Sequence, residues 1–178
     1  MKGCRALTQT EIERVRDTLD LRGKCLFVLG IRTGFRISEL LSLDIEDVKG
    51  GVVNLKKRNT KGKTEGRAVP IHQEAQQWLD AYIGPRVTGP IFVTKSGKRW
   101  ARNEAHVTLK NAYNKAKVIG GNLATHSMRK SFCKNFFESC NRDLLLTQVA
   151  MRHKSPSSTI SYLSIDQDKV DEIMRRLK

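Results

Sequence analysis

Residues 25–31 read Cys-Leu-Phe-Val-Leu-Gly-Ile, seven positions without a charged or amide side chain, and Thr33-Gly34 then breaks the run. A helix that is apolar all round has to be buried all round. This stretch therefore predicts the centre of a packed core, and the segments on either side must cover it. On one side, Thr8-Gln9-Thr10-Glu11 has the spacing of a capping box, and Ile12, Val15 and Leu19 follow at helical intervals, with Gly23 expected to stop the pattern. On the other, residues 37–43 predict a short helix, which puts Arg36 in the turn between two helices.

The period then changes. Val52-Val53-Asn54-Leu55 and Ala68-Val69-Pro70-Ile71 are short β-prone runs joined by a polar, glycine-containing connection, and Ile91-Phe92-Val93 is expected to supply a third strand before a turn at Ser96-Gly97. Ala75, Trp78, Leu79 and Tyr82 predict an intervening helix that ends at Gly84-Pro85. From Asn103 onward the pattern is helical, interrupted at Gly120-Gly121, around Asn141, and at Ser155-Pro156, where serine before proline suits a helix start. The expected class is α+β and mainly helical, with helices around a small three-stranded antiparallel sheet.

At 178 residues the chain is the length of about one domain, and 39% hydrophobic residues are enough for a core, which excludes the disordered class. No apolar run approaches the roughly 18 residues of a membrane span, and the first eleven residues lack the apolar stretch of a signal peptide, so a cytoplasmic location is expected. Cys4, Cys25, Cys133 and Cys140 form no CxxC pair, as expected for reduced thiols, and His126, Cys133 and Cys140 match no usual zinc spacing. The 33 Lys and Arg against 18 Asp and Glu give a formal charge of +15, the electrostatic footprint expected for a polyanion partner, with nucleic acid the first candidate.

Several residues could carry chemistry. Arg36, at its Gly-containing turn, could grip a phosphate with its planar fork of donors, or it could form a surface pair with Glu39 or Asp44. The hairpin connection carries Lys56, Lys57, Arg58, Lys61, Lys63 and Arg67, either a solvated basic loop or one laid into a DNA groove; Lys61, beside Gly62, is the best placed to act as an acid. His126 and Arg129 are three apart at a helix start, which makes either an anion site or a cap and a surface arginine, with Met128, Phe132 and Phe136 on the buried face. His153 precedes Tyr162 by nine residues, and a tyrosine so placed can equally be core or surface.

Together these elements resemble the catalytic domain of the tyrosine recombinase, or phage integrase, family over nearly the whole chain. The resemblance runs through Thr33-Gly34-Phe35-Arg36-Ile37-Ser38-Glu39-Leu40, a hairpin lysine, His126 to Arg129, a histidine box at His153, and Tyr162. It implies a single catalytic domain over residues 1–178, with the family's N-terminal DNA-gripping domain absent from this chain. It also implies the activity: Tyr162 attacks a scissile phosphate to give a 3′-phosphotyrosine and a free 5′-hydroxyl. In that scheme Arg36 and Arg129 clamp the non-bridging oxygens, His126 acts as base or positional donor, His153 makes a further phosphate contact, and Lys61 protonates the leaving oxygen. No metal or other cofactor is implied. The implied partners are double-stranded DNA, further copies of the chain as a tetramer on paired sites, and accessory DNA-bending or directionality proteins.

Arg152 stands where the family has glycine before the histidine, so the turn there is expected to avoid a glycine-only backbone. Val170, Ile173, Met174 and Leu177 form an apolar stripe that packs on its own domain or docks on a neighbouring protomer. A topoisomerase of type IB that relaxes one duplex, and a basic DNA-binding module in which Tyr162 is structural, are the competing readings.

Overall fold

A computed structural model describes residues 4–59, 66–163 and 167–176, with backbone only at 167–170 and 173. The chain divides into two compact units, residues 1–132 and 133–178.

In the first unit α1 (Gln9–Thr18) opens on the expected capping box: the Glu11 N–H donates to Thr8 Oγ1 at 3.3 Å and the Thr8 N–H to Glu11 Oε2 at 2.8 Å. The first helix does not stop at Gly23. It stops at Leu19, and Asp20 caps a new helix, α2 (Leu21–Thr33), by accepting the Gly23 N–H at 2.7 Å. An aspartate that can take an orphan N–H starts a helix more strongly than one glycine ends it. Along α2, Cys25 through Ile31 are buried, and the helix packs against α1, α3 (Ile37–Leu41), α4 (Gln73–Ile83) and α5 (Arg102–Lys115). Burial in this centre raises the Cys25 thiol pKa far above its ordinary value.

The sheet is three-stranded and antiparallel, in the order β1 (Val48–Lys49), β2 (Val52–Leu55), β3 (Arg67–Pro70). The third strand is thus Val48–Lys49 and not residues 91–93. Lys49 pairs with Val52 across Gly50 and Gly51, whose φ angles of 58° and 71° are the positive values that a tight two-residue hairpin turn needs. Residues 91–93 are buried at Ile91 and Phe92 but form only an isolated bridge, Val93 to Arg99, while the Ile91 N–H goes to the Leu43 carbonyl.

The N-terminal segment is tied to the loop that leads into α6 (Thr125–Ser139). Arg5 Nε donates to the Gly120 carbonyl at 2.6 Å and Nη2 to the Ile119 carbonyl at 2.8 Å, while both Nη atoms bind Glu11. The Arg5 guanidinium holds the Glu11 carboxyl well below its usual range, at about 2. The Leu7 N–H donates to Ser131 Oγ at 2.8 Å, which binds α6 itself to this segment.

The division between the units falls within α6. The second unit holds α7 (Leu144–Met151), α8 (Pro156–Leu163) and α9 (Gln167–Arg176), with α7 packed on α8. Asp143 caps α7 through the Leu146 N–H at 2.9 Å, and α8 starts at Pro156 as the serine–proline pair predicts. The apolar stripe of the tail lies largely outside the described side chains; of its members only Met174 is described, and it is exposed. Among the described residues no helix is long and apolar enough to cross a membrane.

Candidate active site

Gly34 sets the turn that positions Arg36. It ends α2 with φ 65° and ψ 16°, the left-handed conformation that glycine takes without strain, and the chain then turns into α3 with Arg36 as the residue before its first turn. A Cβ on Gly34 would lie 2.4 Å from Phe132 Cδ1, so only glycine lets α6 approach this closely. Gly30 does the same one turn earlier, where a Cβ would meet Met128 Sδ at 2.9 Å.

That approach carries Arg129 into the interior. Its side chain is 1% exposed, and Nη1 donates to the Gly34 carbonyl. Of the two readings that the spacing left open, the surface arginine does not hold: the close contact of α6 with the Gly34 turn puts Arg129 on the buried side with Met128, while Phe132 is only half-buried.

Arg36 is half-buried and does pair with Glu39, as the blander sequence reading allowed. The Arg36 N–H donates to Glu39 Oε2 at 2.6 Å and Nη1 to Oε1 at 3.0 Å. Glu39 is itself 4% exposed, so this pair is an internal brace rather than a surface contact. Among the described residues Nε and Nη2 of Arg36 make no hydrogen bond, and those two donors form the edge of a guanidinium that binds an oxyanion bidentately. Arg67 of β3 stacks over Phe35, its guanidinium carbon 5.1 Å from the ring centre.

His126 is the second residue of α6. Its imidazole pKa is pulled below the ordinary histidine value, first by partial desolvation, then by the positive charges of Arg129, Arg102, Arg36 and Lys130. Arg102, at the start of α5, had no signal in the sequence, because nothing in a linear pattern ties position 102 to 126; Lys130 was not among the expected residues, although it lies four after His126 on one helix face and could have been flagged. Such a gathering of like charge around a neutral base is a ready receptor for an anion that neutralises it.

His153 and Tyr162, the remaining expected residues described, lie in the second unit. The His153 ring meets Tyr162 edge-on, with centroids 4.9 Å apart and planes at 78°. His153 Nδ1 lies 2.9 Å from Thr159 Oγ1, and the Thr159 side chain is fully buried. Thr159 was not among the expected residues, although its spacing three before Tyr162 on one helix could have flagged it. Arg152 does adopt a left-handed backbone, φ 49° and ψ 49°, as the last residue of the α7 turn. The expectation that an arginine would keep this turn out of glycine's conformation is therefore not met. The turn is closed by hydrogen bonds from the Arg152 N–H to Gln148 and Val149, and these set the backbone whatever residue stands there.

The structure thus brings Arg36, His126 and Arg129 together in one unit and His153 with Tyr162 in the other. Lys61, like Lys63, falls outside the described residues; Lys57 lies in a short 3-10 turn, Lys57–Asn59. Lys56, at the base of the same connection, is held by Asp47 at 2.7 Å. Among the described residues no group of three or more His, Cys, Asp or Glu is placed to hold a metal ion.

The family model described as the phage integrase family matches residues 5–169. The chain belongs to that family. It is 30% identical over 172 residues to the tyrosine recombinase XerD of Mycobacterium leprae, an alignment that covers 90% of this chain and 53% of that protein. Among solved structures it is similar to a XerA recombinase, with a TM-score of 0.78 and 20% identity, covering 97% of this chain and 63% of the other. It is also similar to a XerH site-specific recombinase bound to its difH substrate, with a TM-score of 0.74 and 22% identity, covering 98% and 54%. These likenesses establish the phage integrase catalytic fold for this sequence, and the chain spans about half the length of the curated relatives it matches.

Proposed function

We propose that the chain is the catalytic part of a site-specific DNA recombinase that cuts and rejoins strands through a 3′-phosphotyrosine. The observation that carries this reading is the convergence of Arg36, Arg129, Arg102 and Lys130 on His126, whose pKa is lowered first by partial desolvation and then by their charge. A fold gains nothing from crowding cations unless an anion completes them.

In the proposed reaction the Tyr162 phenolic oxygen attacks the scissile phosphorus and the bond from phosphorus to the 5′ oxygen breaks. The phenol proton passes to His126, whose lowered pKa keeps the ring neutral and able to accept it at physiological pH. Lys61 returns a proton to the departing 5′ oxygen. Arg36, through its Nε and Nη2 edge, and Arg129 hold the non-bridging oxygens as charge builds on the phosphorane-like transition state. A 5′-hydroxyl from a partner strand then attacks the phosphotyrosine, the phenol leaves, and the duplex is resealed with no net loss of phosphodiester bonds. The positive charge that a divalent ion would supply comes from side chains.

Exchange between two duplexes cuts four strands with one tyrosine each, so a tetramer on paired DNA sites follows from the chemistry. Accessory DNA-bending or directionality proteins and a cytoplasmic place of action, on DNA, complete the reading. The test is covalent capture: the chain is incubated with a pool of nicked duplexes of randomised sequence, and adducts that survive denaturant are sequenced. The expected result is an adduct that Tyr162→Phe abolishes while DNA binding remains. Equal yields from wild type and Tyr162→Phe would refute it.

A further inference from the structure

His153 is held more tightly than a phosphate-contacting side chain on a loop needs to be. Its backbone N–H donates to the Gln148 carbonyl at 3.1 Å, and Gln148 Nε2 donates back to the His153 carbonyl at 3.1 Å. Its ring touches Thr159 on one side and Tyr162 on another, and these two residues sit three apart on α8, hence on one face. Thr159 is fully buried, and among the described residues its hydroxyl has no hydrogen-bond partner besides His153 Nδ1.

A neutral imidazole carries its proton on one nitrogen only, so the direction of this hydrogen bond decides which end of the ring can donate. If Nδ1–H donated to Oγ1, the buried hydroxyl hydrogen would be left without an acceptor, at a cost of about 1–3 kcal/mol. The ring would then also present a lone pair at Nε2, which repels a phosphate oxygen. With the hydroxyl donating to Nδ1, both difficulties vanish.

We propose that Thr159 is a positioning residue for strand cleavage: its hydroxyl donates to His153 Nδ1, which fixes the ring proton on Nε2 and makes that N–H the donor to the scissile phosphate. The inference rests on the reading of Tyr162 and His153 given above. Thr159 touches no reacting atom; it selects the tautomer and the orientation of the ring that does, while α8 sets the spacing of that ring from the Tyr162 nucleophile.

Two variants of the full chain test it. Thr159→Val keeps the shape and removes the hydroxyl; Thr159→Ser keeps the hydroxyl and loses a methyl. Adduct formation on the captured duplex, DNA affinity and melting temperature are compared, and the nitrogen-15 shifts of the His153 ring are read in wild type and both variants. The expected result is an Nε2–H tautomer in wild type and Thr159→Ser, and a mixture in Thr159→Val. Thr159→Val should slow adduct formation roughly tenfold, the rate equivalent of one neutral hydrogen bond, with little change in DNA affinity, and Thr159→Ser should recover most of the rate. An Nδ1–H tautomer in wild type overturns the proposal. So does a Thr159→Val variant that cleaves at the wild-type rate, or a Thr159→Ser variant as slow as Thr159→Val. If wild type forms no adduct, it is the reading of Tyr162 that fails, and the ring-nitrogen shifts still decide the Thr159 contact.

Discussion

Replacing Gly34 with alanine should be costly for two separable reasons. The backbone there sits at φ 65°, where a Cβ costs on the order of 1–2 kcal/mol. The new methyl would also lie 2.4, 2.8 and 2.9 Å from three atoms of the Phe132 ring, so the ring and the α6 segment bearing it must move, and such overpacking typically costs about 1–3 kcal/mol. A stiffer unfolded chain returns about 0.4–1 kcal/mol. The net expectation is a loss of about 1–4.6 kcal/mol, or a fall in melting temperature of roughly 2–18 °C for a chain of this size.

Gly50→Ala supplies the control, because Gly50 has φ 58° with nothing within 4 Å of its would-be Cβ. It should cost only the backbone part, about 1 kcal/mol. Thermal unfolding of both variants by circular dichroism measures the difference, and a double-mutant cycle with Phe132→Ala locates it: in that background the cost of Gly34→Ala should drop to the Gly50 level. A Gly34→Ala chain no less stable than Gly50→Ala, or a cost unchanged in the Phe132→Ala background, would refute the close-approach argument. Because the Gly34 carbonyl is also the acceptor for Arg129, adduct formation by the surviving folded protein should fall further than its stability does.

Two other outcomes follow from the same geometry. Glu11 has a folded-state pKa of about 2, depressed from an ordinary 4.5 by Arg5, so its contribution is complete above about pH 4.5 and is lost as pH falls toward 2. The gap in melting temperature between wild type and Glu11→Gln should therefore narrow on acidification through that window; a gap that stays constant would show that the Arg5 bracket does not stabilise the fold. Arg152→Gly should be more stable than Arg152→Ala by roughly 0.5–1 kcal/mol, since it puts glycine at φ 49°, and lower hydrogen-exchange protection of α7 in Arg152→Gly than in Arg152→Ala would contradict this.

What could be read from the sequence was whatever depends on local chemistry. The apolar run of α2, the Thr8–Glu11 box, the turn at Gly34 and the Ser155-Pro156 start are each set by neighbours within four residues, and each is where the pattern put it. The third strand escaped because Val48–Lys49 is two residues long and shows no alternation; its pairing is imposed by the Gly50-Gly51 turn and by β2. The burial of Arg129 and the approach of Arg102 to His126 escaped for a different reason. Both depend on how α5 and α6 pack on elements some 24 to 95 positions away in sequence, and no periodicity encodes that distance.

The two readings that the sequence left open for Arg36 are not alternatives in the structure. Glu39 does pair with Arg36, but it does so from the interior, taking the backbone N–H and one Nη atom. An exposed pair of this kind would contribute little and leave the guanidinium free to wander. A buried one fixes its plane before any substrate arrives, while Nε and Nη2 make no other hydrogen bond among the described residues. Arg129 is fixed in the same way, by burial and by the Gly34 carbonyl, one residue from the Phe35 that precedes Arg36. The +15 charge therefore divides by rigidity more than by number. Exposed cations such as Lys110 can hold a duplex by counterion release in many orientations. Transition-state charge, in contrast, is stabilised by donors that need no reorganisation when it forms. Arg36 and Arg129, the two arginines proposed for the phosphate oxygens, are held in positions the core has already set.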